Sequence, residues 1–319
     1  MNKYVIWFLG TIFLCTACSP TESIKETSPS NNSQPERWML FYLGGQSNMD
    51  GYGYNNDLPQ ALQDEIKDVY IFCGNQVPDN TPNGGLGVWA PLKAGFGTGF
   101  NSNGVTNTYS DRFGPELAFG ARIKALFPDQ KIAIIKYSRG GTSIAAGASG
   151  YGCWEPDFEV GEGLNQYDSY FTTLRSAFAD EDINKDGRRD VLIPFGIAWM
   201  QGEADANHTM ASAQAYETNL KRLMDLFRAS LREDDLPVVI GQIADSGMDE
   251  TDDKMMDHLE IVQQAQLNFT IKDRAAALVK NTENYEFLSD RWHYKSKNYI
   301  DLGQAFAEEL AKLIRRTSE

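Results

Sequence analysis

Short apolar runs of strand character alternate with helical segments along nearly the whole chain. That alternation limits the fold more than any single motif does. Residues 38–43, 69–73, 131–137, 191–200, 236–243 and 275–279 each have the length and the aromatic or β-branched content of a strand. Ile132-Ala133-Ile134-Ile135 has no polar alternation and predicts a strand covered on both faces. Between the runs, residues 113–127, 167–179, 211–231, 255–268 and 296–314 carry apolar residues at helical spacing. Pro128 ends the first of these helices, and the last has Leu302, Ala305, Phe306, Leu310 and Leu313 on one face. Strands alternating with helices predict an α/β fold: a three-layer, doubly wound parallel sheet of flavodoxin-like order. In such sheets ligands bind at the carboxyl ends of the strands.

The first residues belong to a different element. Lys3 precedes an apolar stretch, residues 4–14, too short to remain as a membrane-spanning helix, and Cys15-Thr16-Ala17-Cys18-Ser19 follows. This resembles a bacterial lipoprotein signal, with Cys15 standing where leucine is usual. The resemblance implies a signal over residues 1–17 and lipidation of Cys18. Residues 18–36 contain a stretch rich in Ser, Thr, Asn and Pro, which predicts a flexible tether. One domain over residues 37–319 is expected outside the cytoplasm, held to a membrane by its lipid alone. A formal net charge of -15 argues against nucleic acid and anionic lipid surfaces as partners. Cys73 and Cys153 are then the cysteines of the domain, free to pair or to stay as buried thiols.

Polar turns follow three of the strands, and each contains glycine. Gly44-Gly45-Gln46-Ser47 follows the first, Ser138-Arg139-Gly140-Gly141 the third and Gln201-Gly202-Glu203 the fourth. Asp290-Arg291-Trp292-His293 lies just before the last helix. A parallel sheet brings all four to one edge. Together they supply a hydroxyl nucleophile, backbone N–H donors, an amide, an imidazole and carboxylates, the parts of an acyl-transfer site. The chain has three histidines, and His293 is the one placed to serve as base; His208 lies beyond Glu203, and His258 reads as a surface residue within a helix. Arg139 would bind substrate, balance a carboxylate or form a structural ion pair. Tyr52, Tyr54, Trp154 and Trp292 would stack on sugars or fill the core.

Gly-Gln-Ser-Asn-Met at 45–49, Gly-Gly-Thr-Ser at 140–143, Gln-Gly-Glu-Ala-Asp at 201–205 and Asp-Arg-Trp-His at 290–293 resemble, in order, the blocks of the SGNH hydrolase superfamily. More narrowly, they look like those of the sialic-acid-specific acetylesterase domain and of carbohydrate esterase family six, the acetylxylan esterases. The resemblance implies a Ser-His-acid esterase that removes acetyl groups from a sugar or polysaccharide without a cofactor. It implies Ser47 as nucleophile and His293 as base. The oxyanion contacts would be the N–H of Ser47, the N–H of Gly141 (or else Gly140) and the Gln201 side chain. Asp290 is the expected acid and Glu203 the alternative. A lipase of the same fold and a non-catalytic glycan-binding protein are the competing readings.

Asp182-Ile183-Asn184-Lys185-Asp186-Gly187 matches the first half of a calcium loop, whereas Ile193 stands where the last ligand would be. The expectation is either a structural Ca2+ held by Asp182, Asn184, Asp186 and Asp190, or an Asp/Gly turn.

Overall fold

The computed structural model describes residues 34–159 and 163–317. The signal, Cys18 and the tether up to residue 33 lie outside them. The central strand is β1 (Glu36–Gly45), buried along all of its length beyond the first two residues. Around it stand β2 (Val69–Cys73), β3 (Lys131–Ser138), β4 (Asp190–Met200), β5 (Val238–Gly241) and β6 (Ala276–Val279). The sheet runs β6-β5-β4-β1-β3-β2, and a two-residue antiparallel strand, Ala90–Pro91, closes the β2 edge. All other pairings are parallel. Without β2, the order is the flavodoxin-like one; β2 extends that sheet by one strand.

Helices α1 (Pro115–Leu126), α2 (Gln166–Ala179), α3 (Met210–Leu231), α4 (Leu259–Lys272) and α5 (Ser296–Thr317) cover both faces. Adjacent residues of β1 show the division, because successive strand side chains point oppositely. Phe41 meets Phe119 of α1, whereas Tyr42 meets Tyr170 of α2 and Phe227 of α3. α5 packs beside α1, and α4 beside α3.

One helix boundary differs from the sequence reading. α4 begins at Leu259 rather than near residue 255, because the Asp245 carboxylate takes the N–H groups of Met255 and Met256 and holds them in a loop. His258 therefore stands at the amino-terminal boundary of α4, not within the helix. Trp154 is fully buried against Tyr137 and Trp199, which makes it core and not a sugar platform.

The half calcium motif does not fit a cation site. Asp190 is buried and spends both carboxylate oxygens inward, one on the Trp38 indole N–H at 2.7 Å and one on the Ile183 N–H at 2.7 Å. Asp182 accepts from the N–H groups of Asp186 and Gly187, both at 3.0 Å. Asp186 is paired with the Arg188 guanidinium at 2.7 Å, a cation already supplied by the chain. Among the described residues no group of three or more His, Cys, Asp or Glu is arranged to hold a metal ion. Cys73 and Cys153 are buried free thiols, and burial pushes Cys153 up to about 12.

A lysine ammonium is buried inside the fold. Lys136 sits in β3 with no exposed surface. Its ammonium donates to Glu116 Oε2 of α1 at 2.7 Å, to the Asp50 carbonyl at 2.8 Å and to the Phe96 carbonyl at 2.8 Å. All three N–H bonds are thus used, as burial of an ammonium requires. Replacement Lys136→Met leaves the Glu116 carboxylate buried without its partner. The expected cost is about 3–5 kcal/mol by chemical denaturation, and the double variant Lys136→Met/Glu116→Leu should recover part of it. A single-variant cost below about 1 kcal/mol would show that this pair does not hold the fold.

Candidate active site

The sheet register brings the turns together. Gly45 at the end of β1 pairs with Ser138 of β3 on one side and with Met200 of β4 on the other. Gly45 has φ +146°, and a Cβ there would lie 2.0 Å from the Met200 carbonyl oxygen, so only glycine fits. The Gln46 N–H then donates to that oxygen at 2.9 Å, and the chain enters a short helical turn, Ser47–Asp50. Ser47 opens into a cavity of about 530 Å3 that is also lined by Arg139, Gly140, Glu203, Trp292 and His293.

Asn48 ties this turn to the others. Its Nδ2 donates to Glu203 Oε1 at 2.8 Å and to the Trp292 carbonyl at 3.1 Å. Its Oδ1 accepts from the Tyr299 hydroxyl of α5 at 2.8 Å. Sequence reasoning had given Asn48 no task, although its place beside Ser47 was the available signal. Glu203 is buried, and burial raises its carboxyl above the ordinary value. Its side chain serves the Ser47 turn through Asn48, and among the described residues it makes no hydrogen bond to His293.

His293 is fixed by two other groups. Its Nδ1 lies 2.9 Å from Asp290 Oδ2, while Asp290 Oδ1 accepts the N–H groups of Trp292 at 2.9 Å and His293 at 3.0 Å. The carboxylate therefore orients the ring and also closes the loop that carries it. The Tyr52 ring lies flat on the imidazole, with centroids 3.5 Å apart and planes 5° apart. Tyr52 thus acts on the histidine ring, a role the sequence reading had not found. Burial is the largest influence on the imidazole and lowers its pKa, outweighing the pull of Asp290. Burial alone would raise Asp290, but its bonds to His293 and to the two backbone N–H groups leave it lowered. Ser47 and His293 line the same cavity without a hydrogen bond to each other; such contacts commonly tighten only around substrate.

The expected oxyanion donors are only partly brought together. The N–H groups of Ser47, Gly140 and Gly141 find no acceptor among the described residues. Gly140 is the glycine against the serine, since a Cβ on it would lie 3.4 Å from Ser47 Cβ. Gly141, at φ +74°, lies under the Tyr151 ring. Gln201 departs from expectation. It is fully buried, does not line the cavity, and donates its amide to the Thr142 carbonyl at 3.1 Å and to Asp205 Oδ2 at 2.7 Å. Asp205, raised to about 6 by burial, also accepts the N–H groups of Ile144 and Ala145. Gln201 therefore holds the loop that follows Gly141 and has no N–H left for a ligand.

The chain matches the family described as "Carbohydrate esterase, sialic acid-specific acetylesterase" over residues 37–312. Among solved structures, a protein from Arabidopsis thaliana has a TM-score of 0.58 at 19% identity, covering 88% of this chain and 99% of its own. A carbohydrate acetylesterase from Xanthomonas citri has a TM-score of 0.57 at 17% identity, covering 87% of this chain and 57% of its own. NanS has a TM-score of 0.54 at 15% identity, covering 90% of this chain and 99% of its own. At these identities the structures establish a common fold. No curated protein matches the chain.

The coupling between Asp290 and His293 sets a titration that can be measured directly. His293 should titrate below the ordinary histidine value of about 6.5 when followed by NMR of the labelled imidazole. Asp290→Asn removes the group that favours the charged ring, so the pKa should fall further. An unchanged or higher value in that variant would show that Asp290 does not act on the ring.

Proposed function

The chain belongs to the carbohydrate esterase family of sialic acid-specific acetylesterases, and on that premise we propose how its residues carry out carbohydrate O-deacetylation. The observation that carries the reading is the Asp290-oriented imidazole of His293 in the same cavity as Ser47. The enzyme is a carboxylic-ester hydrolase that acts on acetylated carbohydrate. In the proposed route Ser47 Oγ attacks the acetyl carbonyl carbon while His293 Nε2 takes the hydroxyl proton. The N–H groups of Ser47 and Gly140 receive the developing oxyanion. Collapse breaks the bond to the sugar oxygen, which takes the proton back from His293 and leaves as an alcohol. Water then attacks the acetyl-serine with His293 again as base. Acetate leaves and Ser47 regains its proton. Asp290 holds the imidazole with Nε2 towards the serine and stabilises the imidazolium formed at each attack. None of these steps requires a cofactor.

Acetylated xylan or a related plant polysaccharide and O-acetylated sialic acid are both candidate substrates for such a site. The segment before the domain is proposed to export the protein and to leave Cys18 as a lipidated amino terminus. Among the described residues no helix is long and apolar enough to cross a membrane.

Acetate release from acetylated xylan and from 9-O-acetylated sialic acid tests the mechanism. Ser47→Ala should lower kcat by about 10³-fold or more, and Asp290→Asn by about 10²–10⁴-fold. Glu203→Gln keeps the Asp290–His293 pair and should cost less than about tenfold in kcat. If Asp290→Asn were nearly silent while Glu203→Gln abolished turnover, the acid would be Glu203. For the anchor, Cys18→Ala should lose metabolic labelling with a fatty acid and move the protein out of the membrane fraction. A variant that still carried the label would exclude Cys18 as the modified residue.

A further inference from the structure

Tyr151 is a large aromatic residue that the fold leaves open on the wall of the catalytic cavity. It is 62% exposed and lines the cavity together with Ser47, Gly141 and Trp292. Its position is nonetheless fixed. The Trp154 N–H donates to the Ser143 carbonyl at 2.8 Å and the Ser143 N–H to the Gly152 carbonyl at 3.2 Å, which closes the base of the loop that carries Tyr151. The Tyr151 N–H donates to the Ser149 hydroxyl oxygen at 3.0 Å, and that hydroxyl donates to the Gly141 carbonyl. The ring rests on Gly141, where a Cβ would lie 2.6 Å from Tyr151 Cδ2. Gly141 follows Gly140, the glycine against Ser47, so the ring stands one residue farther along the wall from the nucleophile.

The aromatic residues that the sequence offered as sugar platforms are occupied otherwise. Tyr52 lies flat on His293, the Arg112 guanidinium sits 3.5 Å over the Tyr54 ring, and Trp154 is in the core. Trp292 lines the cavity but packs partly buried against the core. Its backbone is committed to Asp290 and Asn48. Among the described residues the Tyr151 ring has no aromatic or cation–π partner, and Tyr151 is the one exposed large apolar residue that lines the cavity. A single exposed tyrosine on a convex surface needs no explanation. Here the ring belongs to a concave wall whose neighbours Ser47, Arg139, Glu203 and His293 are polar, and its apolar area leaves water only when a ligand covers it. A pyranose presents C–H groups on the faces of its ring and hydroxyl groups at its edge. A flat aromatic ring takes the C–H face out of water and leaves the hydroxyls to polar groups.

We propose that Tyr151 is the platform on which the sugar ring of the substrate lies, so that the protein selects acetyl esters carried by a pyranose over those of open-chain alcohols. The inference rests on the esterase reading above and adds a specificity-determining residue to it. Tyr151 acts on the alcohol part of the ester, whereas Ser47, His293 and Asp290 act on the acetyl group. Xylose and sialic acid units are both pyranoses, so either meets this requirement.

The test measures acetate release from two pyranosides, a mono-O-acetylated methyl xyloside and a 9-O-acetylated methyl sialoside, each against mono-O-acetylated xylitol, an open-chain polyol. For at least one pyranoside the wild-type protein should favour the ring over the open chain by about 10–100-fold in kcat/KM. In Tyr151→Ala that ratio should fall by about 5–30-fold, carried by a higher KM for the pyranoside and not by kcat. Tyr151→Phe keeps the flat ring and should hold the ratio within about twofold. Equal efficiency of the wild type on ring and open chain would overturn the inference and leave the esterase reading intact. So would a ratio that persists in Tyr151→Ala, or an equal loss on both kinds of ester there, which would mean that Tyr151 acts only by holding Gly141. A ratio as low in Tyr151→Phe as in Tyr151→Ala would assign the effect to the hydroxyl and overturn it too. If Tyr151→Ala does not fold, Tyr151→Leu, which keeps apolar bulk without a flat face, decides: the ratio should fall about threefold or more, and an unchanged ratio overturns the inference. No acetate release from any of these esters by folded wild-type protein would instead defeat the esterase reading, and this inference with it.

Discussion

A single buried ammonium joins the scaffold to the catalytic edge. Lys136 belongs to β3, yet its three bonds reach α1, the end of the Ser47–Asp50 turn and the segment that carries Phe96. Each acceptor is on a different segment, so moving any one of them would leave a charge or a carbonyl unsatisfied where water cannot replace the bond. That demand makes the position of the serine turn a property of the core and not of a surface loop. It also explains why a lysine is tolerated inside a strand whose other residues between 132 and 137 are Ile, Ala and Tyr.

On this base the site is assembled in layers. The sheet register sets Gly45, Ser138 and Met200 side by side, and the glycine allows β1 and β4 to approach closely enough for the chain to turn. Asn48 then links the serine turn, Glu203, the Trp292 carbonyl and α5 through three hydrogen bonds of its side-chain amide. Glu203 and Gln201, which look like chemical groups in the sequence, spend themselves on positioning the loops that follow their neighbours. His293 is held in its plane by Tyr52 and in its rotation by Asp290. Substrate would therefore meet side chains whose conformations are already chosen, which is what preorganised electrostatic catalysis requires.

The sequence left roles open, or assigned them wrongly, where a residue type was read without its surroundings. Asp182 to Asp190 has the spacing of a calcium loop, but the inward Trp38 and Ile183 donors claim Asp190, and Arg188 neutralises Asp186. Gln201 has the residue type of an oxyanion donor, but complete burial and two acceptors leave it none to give. Trp154 is as aromatic as any sugar platform and lies in the core. In each case at least one deciding partner is distant along the chain, Trp38 for Asp190, Thr142 for Gln201, and Tyr137 and Trp199 for Trp154, and spacing cannot reveal it.

The sequence by itself determined the α/β class, the strand at 131–137 covered on both faces, the helices between the strands and the set of turns that meet at one edge. It could do so because strand and helix periods, glycine turns and proline stops are local consequences of side-chain chemistry. Asp290 as the partner of His293 was implied by the family resemblance, with Glu203 as the alternative, and the two side chains do meet within one tight loop. The tertiary structure alone decided that Gly140 is the glycine against Ser47, that Tyr52 supports the histidine, that Glu203 serves Asn48, and that Arg139 lines the cavity without an ion pair among the described residues. Those outcomes depend on burial and on hydrogen-bond partners brought together from distant segments, and such competition for partners exists only once the chain is packed.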